Sequence, residues 1–158
     1  MELSGEILSG HFFKGIQGLQ FISHEAFRFL QESLPEDKVY WMNAADPASL
    51  CGIKIEGLEY DLPSRLLTNH LVFHGKELVL VSKRSCKHLD IHVSFDYPHL
   101  IRYFSFFKVL LNREFNPRRS IMIETINDEE AKESPYAGKF LEFGFSKDYK
   151  GLELWRHY

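Results

Sequence analysis

Cysteine is scarce in this chain. Only Cys51 and Cys86 occur, and neither belongs to a CxxC pair. That excludes a disulfide framework and the usual spacing of a zinc or dithiol site, and it fits a reducing, cytoplasmic setting. An excess of positive charge is also lacking. Nineteen Lys and Arg stand against 22 Asp and Glu, for a net charge of −3. A free-standing, non-specific nucleic-acid binder is normally basic, so that class loses ground, although a local basic patch can exist on an acidic chain. No long apolar run is present. The longest apolar-rich stretch, 97–115, is interrupted by Pro98, Arg102, Lys108 and Arg113 and reads as a core helix, not a membrane span. No basic segment followed by an apolar one opens the chain, so no signal peptide is expected. The GxxxxGK[ST] phosphate loop, GxGxxG, GxSxG and HExxH are all missing. Without them the chain carries no recognisable engine for nucleotide hydrolysis, hydride transfer or acyl transfer, and neither enzyme activity nor a resident cofactor or metal is expected.

Aromatic residues are abundant: 14 Phe, 7 Tyr and 2 Trp in 158 residues. Such a chain can bury roughly 70% of the surface it would expose unfolded, enough for a core without staples. One domain over residues 1–158 is expected, in three stretches of different character.

Residues 1–37 read as a hairpin and a helix. Glu6 to Phe13, Gly15 and Gly18, and Leu19 to Ile22 give two strands around a glycine-bearing turn. Ser23 is a suitable N-cap, Glu25 favours the first turn, and Ala26, Phe27, Leu30 and Leu34 recur at helical spacing before Pro35. Residues 38–94 read as β-rich. Strands are expected at Val39–Met42, around Ile53 and Ile55, in a hairpin turning at His74-Gly75-Lys76, and at 88–93. Asp46-Pro47 opens a short turn. Residues 95–158 begin with one long helix from Asp96-Tyr97-Pro98, carrying Leu100, Ile101, Phe104, Phe107, Leu110 and Leu111. A strand at 121–123, a helix opening at Ser134-Pro135 and ending at Gly144, and a last strand at 152–156 complete a βαββ unit. The fold class is α+β, with a bent antiparallel sheet or small β-barrel in the middle. A hairpin leading into a helix resembles the end of a winged-helix unit, so the chain reads as part of a longer protein.

Two constellations could carry chemistry. His88, Asp90 and His92 alternate along one strand, with His70 and His74 on a neighbour, and such donors suit zinc or iron. The plainer reading puts them on the solvent face, with Leu89, Ile91 and Val93 facing the core. A basic run, Lys83, Arg84 and Lys87, together with Arg118 and Arg119 and the later Lys147, Lys150 and Arg156, could contact phosphates. Trp155, Tyr149 and Tyr158 nearby could stack on unpaired bases. Against this stands a solvated loop with a partly buried Trp155. Glu129-Glu130 reads as an acidic turn.

Gly5-Glu6-Ile7, Gly10-His11-Phe12 and Gly18-Leu19-Gln20-Phe21 resemble a G-E-I/V…G-x-F…G…x-Q-F-A pattern. Ala44-Ala45-Asp46-Pro47 through Leu50 and Gly52-Ile53 resembles A-A-D-P-x-N-L-x-G-I/V. Asn69 to Gly75 is similar to N-R-V-L-Y-R-D-G. Ile123-Glu124-Thr125-Ile126-Asn127, Ser134-Pro135, Gly144-Phe145 and Tyr149-Lys150-Gly151-Leu152 follow a closing I-E-x-I-N-G…S-P…G-F…Y-K-G-L. In this order the segments resemble the C-terminal accessory region of large helicase-related (Lhr-type) DNA helicases of superfamily 2, and the likeness is weakest over 94–117. His70 and His74 replace arginines, the Asp before Gly75 is lost, and Ser49 stands for Asn.

The resemblance implies a non-catalytic module that helps to form the DNA channel and braces the motor. Its partners would be single-stranded DNA, bound weakly in isolation through Lys83, Arg84, Lys87, Arg118 and Arg119, and upstream motor and winged-helix domains that use ATP and Mg. Two alternatives stay open. One is a glycosylase-like or metal-dependent domain with a pocket lined by His70, His74, His88, Asp90 and His92. The other is a protein-interaction platform presenting Phe12, Phe13, Tyr97 or Trp155.

Overall fold

The computed structural model describes residues 5–13, 17–32, 35–53 and 61–156. The chain divides into two packed units, Met1–Pro35 with Ile53–Asp61 and Glu36–Gly52 with Leu62–Tyr158. The class is α+β, and no sheet closes into a barrel among the described residues.

In the first unit β1 (Ile7–Gly10) pairs antiparallel with β2 (Gln20–Ser23), which leads into α1 (His24–Gln31). Gln20 holds the connecting loop. Its Oε1 accepts from the Phe12 and Phe13 amides, each at 2.8 Å, and its Nε2 donates to Phe13 O at 3.1 Å. The Ser23 hydroxyl accepts from the Ala26 amide at 3.1 Å, the expected N-cap. No residue of α1 is buried, although Phe12 meets Phe27 edge-on at 5.8 Å. Leu34 and Ile55 lie outside the described residues, and Ile53 is in no strand.

The second unit contains β3 (Val39–Asn43), β4 (His70–His74), β5 (Glu77–Lys83), β6 (His88–Ile91), α2 (Leu100–Tyr103), α3 (Ser105–Asn112), β7 (Ser120–Ile123), β8 (Thr125–Ile126), β9 (Glu129–Glu130), α4 (Ala137–Phe143), β10 (Ser146–Lys147) and β11 (Leu152–Trp155). Six strands form one sheet in the order β3-β4-β5-β6-β8-β9, and β10-β11-β7 form another. The sheet is mixed, because β8 joins β6 in parallel. The β4–β5 hairpin turns where expected. Gly75 has φ +57°, and a Cβ there would lie 2.9 Å from Glu36 O, so only glycine fits.

The long helix expected over 97–115 is broken. Asp96-Tyr97-Pro98 forms a turn, and α2 and α3 meet at Phe104 through i→i+3 bonds from Phe104 N to Ile101 O and from Phe107 N to Phe104 O. The reason is packing. Residues two apart on a straight α-helix point about 200° apart, yet Phe104 and Phe106 are both fully buried. The joint turns the two segments so that both rings reach one core. That core combines Val72, Leu80, Leu89 and Ile91 of the larger sheet with Phe104, Phe106, Phe107, Phe140 and Phe145, and with Ile121, Ile123, Leu152 and Leu154. Residues on either side of position 94 therefore share a single core. Helix α4 starts at Ala137, later than expected, because Ser134 and Pro135 belong to the preceding turn. Gly144, at φ +121°, ends it as expected.

Candidate functional site

The basic run occupies the turn between β5 and β6. Arg84, Ser85 and Cys86 all have positive φ, at 49°, 62° and 75°. Non-glycine residues occupy this region at a cost, so neighbouring groups must hold the turn. Asn69 is one clamp: its Oδ1 accepts from the Arg84 amide at 3.2 Å and its Nδ2 donates to Ser64 O at 3.0 Å. Ser85 N donates to Thr68 O at 2.9 Å. Arg118 is the other clamp, donating from Nη1 to Ser85 O at 2.7 Å. The two basic segments, remote in sequence, are thus brought together.

Their charges are not equally available. Lys83 Nζ lies 2.6 Å from the Asp90 carboxylate, its diagonal neighbour on β6. Lys87 Nζ lies 2.7 Å from Glu124 Oε1. That hydrogen bond holds the Glu124 carboxyl below the usual carboxylate range. Arg118 is turned to the backbone. Arg84 and Arg119 are exposed, and their side chains make no hydrogen bond or ion pair among the described residues. Arg113, outside the expected set, also belongs here: its Nε donates to Asn116 O at 2.9 Å, shaping the 113–119 loop. Its sequence neighbourhood, Arg113 followed by Pro117-Arg118-Arg119, carried that signal.

Beneath this surface sits His70, only 3% exposed. Its Nε2 is 3.3 Å from Asn43 Nδ2, its ring packs by Trp41 and Phe106, and its Nδ1 has no partner. Burial, followed by the charges of Arg118 and Arg113, pushes its pKa down to about 4. His70 is a neutral core residue, unlike the arginine of the resembling motif.

The histidine-lined pocket of the alternative reading is not assembled. Cross-strand register places His70 with Ser82 and Leu89 on the face toward the helices. His88 and Asp90 alternate onto the other face. His88 Nδ1 shares a 2.8 Å hydrogen bond with Thr125 Oγ1, and His92 Nδ1 one of 3.1 Å with Leu78 O. Among the described residues, no three His, Cys, Asp or Glu side chains converge as a metal-holding group.

His74, at the far end of β4, lies in a cleft of about 310 Å³ lined by Val79, Val93, Tyr97 and Tyr103, with Glu36, Lys76 and Glu77 around it. Its Nδ1 and the Tyr103 hydroxyl share a 2.7 Å hydrogen bond, and Tyr97 stacks on Tyr103 with centroids 6.0 Å apart. Burial, and then a hydrogen bond with Tyr97, raise the Tyr103 pKa and keep the phenol neutral.

The remaining motif residues serve the fold. Asp46 Oδ1 accepts from Ala48 N at 2.8 Å, and Ser49 Oγ from Cys51 N at 3.2 Å. Asn127 binds Ile91 at both its amide and carbonyl, at 2.7 and 3.1 Å. Of the aromatic candidates, Phe13 and Trp155 are more than half exposed, Phe12 and Tyr97 are half-buried, Tyr149 is fully displayed, and Tyr158 lies outside the described residues. No helix among the described residues is long and apolar enough to cross a membrane. Compared with known families the chain matches no family model, and no curated protein is significantly similar to it.

Proposed function

We propose that the chain is a non-catalytic, DNA-contacting accessory module of a larger cytoplasmic helicase of the Lhr type, bracing motor and winged-helix domains that supply ATP and Mg chemistry. The observation that carries this reading is the bond from Arg118 to Ser85 O, which joins the turn bearing Arg84 and Lys87 to the loop bearing Arg113 and Arg119. Two basic segments remote in sequence thus lie next to each other on a chain of net charge −3. Phosphate contacts of this kind give affinity without sequence preference.

The test is binding of a labelled single strand by fluorescence anisotropy across a salt series. The isolated chain should bind in the micromolar range or more weakly, with affinity falling steeply as salt rises. Removing Arg84 and Arg119 together should flatten the slope of log affinity against log salt by about 1.4 units on a single strand. Removing Lys83 and Lys87 should flatten it less, because Asp90 and Glu124 already neutralise them. No salt-dependent binding, or a double arginine variant that behaves like wild type, would overturn the proposal.

A further inference from the structure

We infer that the cleft at the turn end of the β4–β5 hairpin binds a small organic cation, an amine or guanidine carried on an apolar body. The inference is independent of the DNA-contacting reading, because Arg84, Lys87, Arg118 and Arg119 do not line this cleft.

Every residue of the cleft belongs to the second unit. The hairpin closes with His74 directly opposite Glu77, so imidazole and carboxylate leave the same face of the sheet. Val39, opposite His74 on its other side, packs against the core, which makes this the face toward the helices. Val79 and Val93 supply an apolar wall and Tyr97 an aromatic one. The volume, about 310 Å³, lies at the lower end of the range of small-molecule sites, roughly 300–1,000 Å³.

Two features set the charge of the ligand. Of the charged residues around the cleft, Glu36 and Glu77 are acidic and Lys76 alone is basic, so an anion is disfavoured and a cation is drawn in. The second feature is the way His74 is held. The hydrogen bond with Tyr97 raises the Tyr103 pKa, as it does when Tyr103 is the donor. The Tyr103 oxygen then accepts from His74 Nδ1 at 2.7 Å. With its proton on Nδ1, the neutral ring carries a lone pair on Nε2. That atom has no hydrogen-bond partner among the described residues. An acceptor nitrogen, an acidic rim and a tyrosine ring beside an apolar wall are the complement of an ammonium or guanidinium group on a hydrocarbon body.

The experiment titrates 2-phenylethylamine, 2-phenylethanol and 3-phenylpropionate into the full chain and follows the Gly75, Lys76 and Val93 amides by NMR. The three share one body and differ in the charge of the head. The amine should bind saturably, about fivefold more tightly than the alcohol, and the propionate most weakly. Glu77→Gln should weaken the amine about threefold and leave the alcohol unchanged. Val93→Phe, which fills the cleft, should abolish binding of all three. If Val93→Phe fails to fold, Glu77→Gln still decides, because Glu77 is exposed and its substitution leaves the core intact. Equal affinities for the three heads would overturn the inference. So would a lack of saturable shifts at these amides, or a Glu77→Gln variant that holds the amine like wild type. None of these outcomes touches the salt dependence of DNA binding, so the two readings fall separately.

Discussion

The guanidinium of Arg118 and the carbonyl of Ser85 meet at 2.7 Å across 33 residues of sequence. This bond holds a turn whose Arg84, Ser85 and Cys86 all have positive φ. Arg118→Leu should therefore cost about 1–3 kcal/mol, the usual range for a charged hydrogen bond lost beside a partner left unpaired. Arg118→Lys should recover little, because the ammonium ends a side chain one atom shorter than the one that carries Nη1 to Ser85 O. Arg84→Ala and Arg119→Ala, which remove exposed and unpaired charges, should each change stability by less than about 0.5 kcal/mol. Urea denaturation of the four variants checks this ordering, and a costlier Arg84→Ala would reverse the division between structural and binding arginines.

Phe107 has no exposed surface and lies among Phe104, Phe106, Phe140 and Phe145. Phe107→Ala should cost about 3–5 kcal/mol, from lost burial and an unfilled cavity. Val109, 47% exposed on the same helix, gives the contrast: Val109→Ala should change stability by less than about 1 kcal/mol. Equal losses from the two substitutions in chemical denaturation would contradict the packing described.

What the sequence made legible is local. The Ser23 cap, the turn at Gly75 and the helix stop at Gly144 each depend on one residue type at one backbone position, so pattern reading finds them. The break at Phe104 does not have that character. It arises because Phe104 and Phe106 must both reach a core built from distant strands, and hydrophobic spacing cannot distinguish that from a continuous helix. The site divides in the same way. Lys83, Arg84 and Lys87 were visible as one basic turn. Their differing availability was not, because the Asp90 and Glu124 partners arrive through sheet register. Glu124 comes through the connection into β8, whose parallel pairing with β6 has no sequence signature. The five-ligand histidine pocket failed for a related reason: alternation within one strand says nothing about which face a neighbouring strand presents.

Gly151 supplies a test of the closing motif. Its φ is not positive, so conformational freedom is not what requires glycine there. A Cβ at this position would overlap Ile123 O and crowd Glu124 Cα at 3.2 Å, because the turn before β11 lies directly on the end of β7. Gly151→Ala should separate these strands and cost more than about 2 kcal/mol, as overpacking against backbone does. Gly138→Ala, with open space around its would-be Cβ and helical neighbours on both sides, should be neutral or stabilising by up to about 1 kcal/mol. Thermal unfolding of the pair decides the matter, and a tolerant Gly151→Ala would show that the turn can yield.

His70 predicts how stability depends on pH. In the folded chain its pKa lies near 4, lowered by burial and then by Arg118 and Arg113, against an ordinary value of 6.5. The unfolded chain therefore takes up a proton at a higher pH than the folded one. Stability from the buried neutral ring is fully present above about pH 6.5 and is lost as the pH falls toward 4. At 1.36 kcal/mol per unit the loss approaches about 3 kcal/mol at the acid end, taken as an order of magnitude. His70→Leu, similar in volume and without a titrating group, should lack this component. It also removes the unpartnered Nδ1, so the variant should lose less stability than wild type between pH 7 and pH 4.5. Arg118→Leu should raise the lower edge of this window and shrink the loss, because one of the two repelling charges is gone, while the upper edge, set by the unfolded chain, stays in place. Urea denaturation at pH 7, 5.5 and 4.5 reads all three proteins. Parallel profiles for wild type and His70→Leu would mean that the imidazole accepts its proton inside the fold, through a relaxation that brings water or a carboxylate to Nδ1.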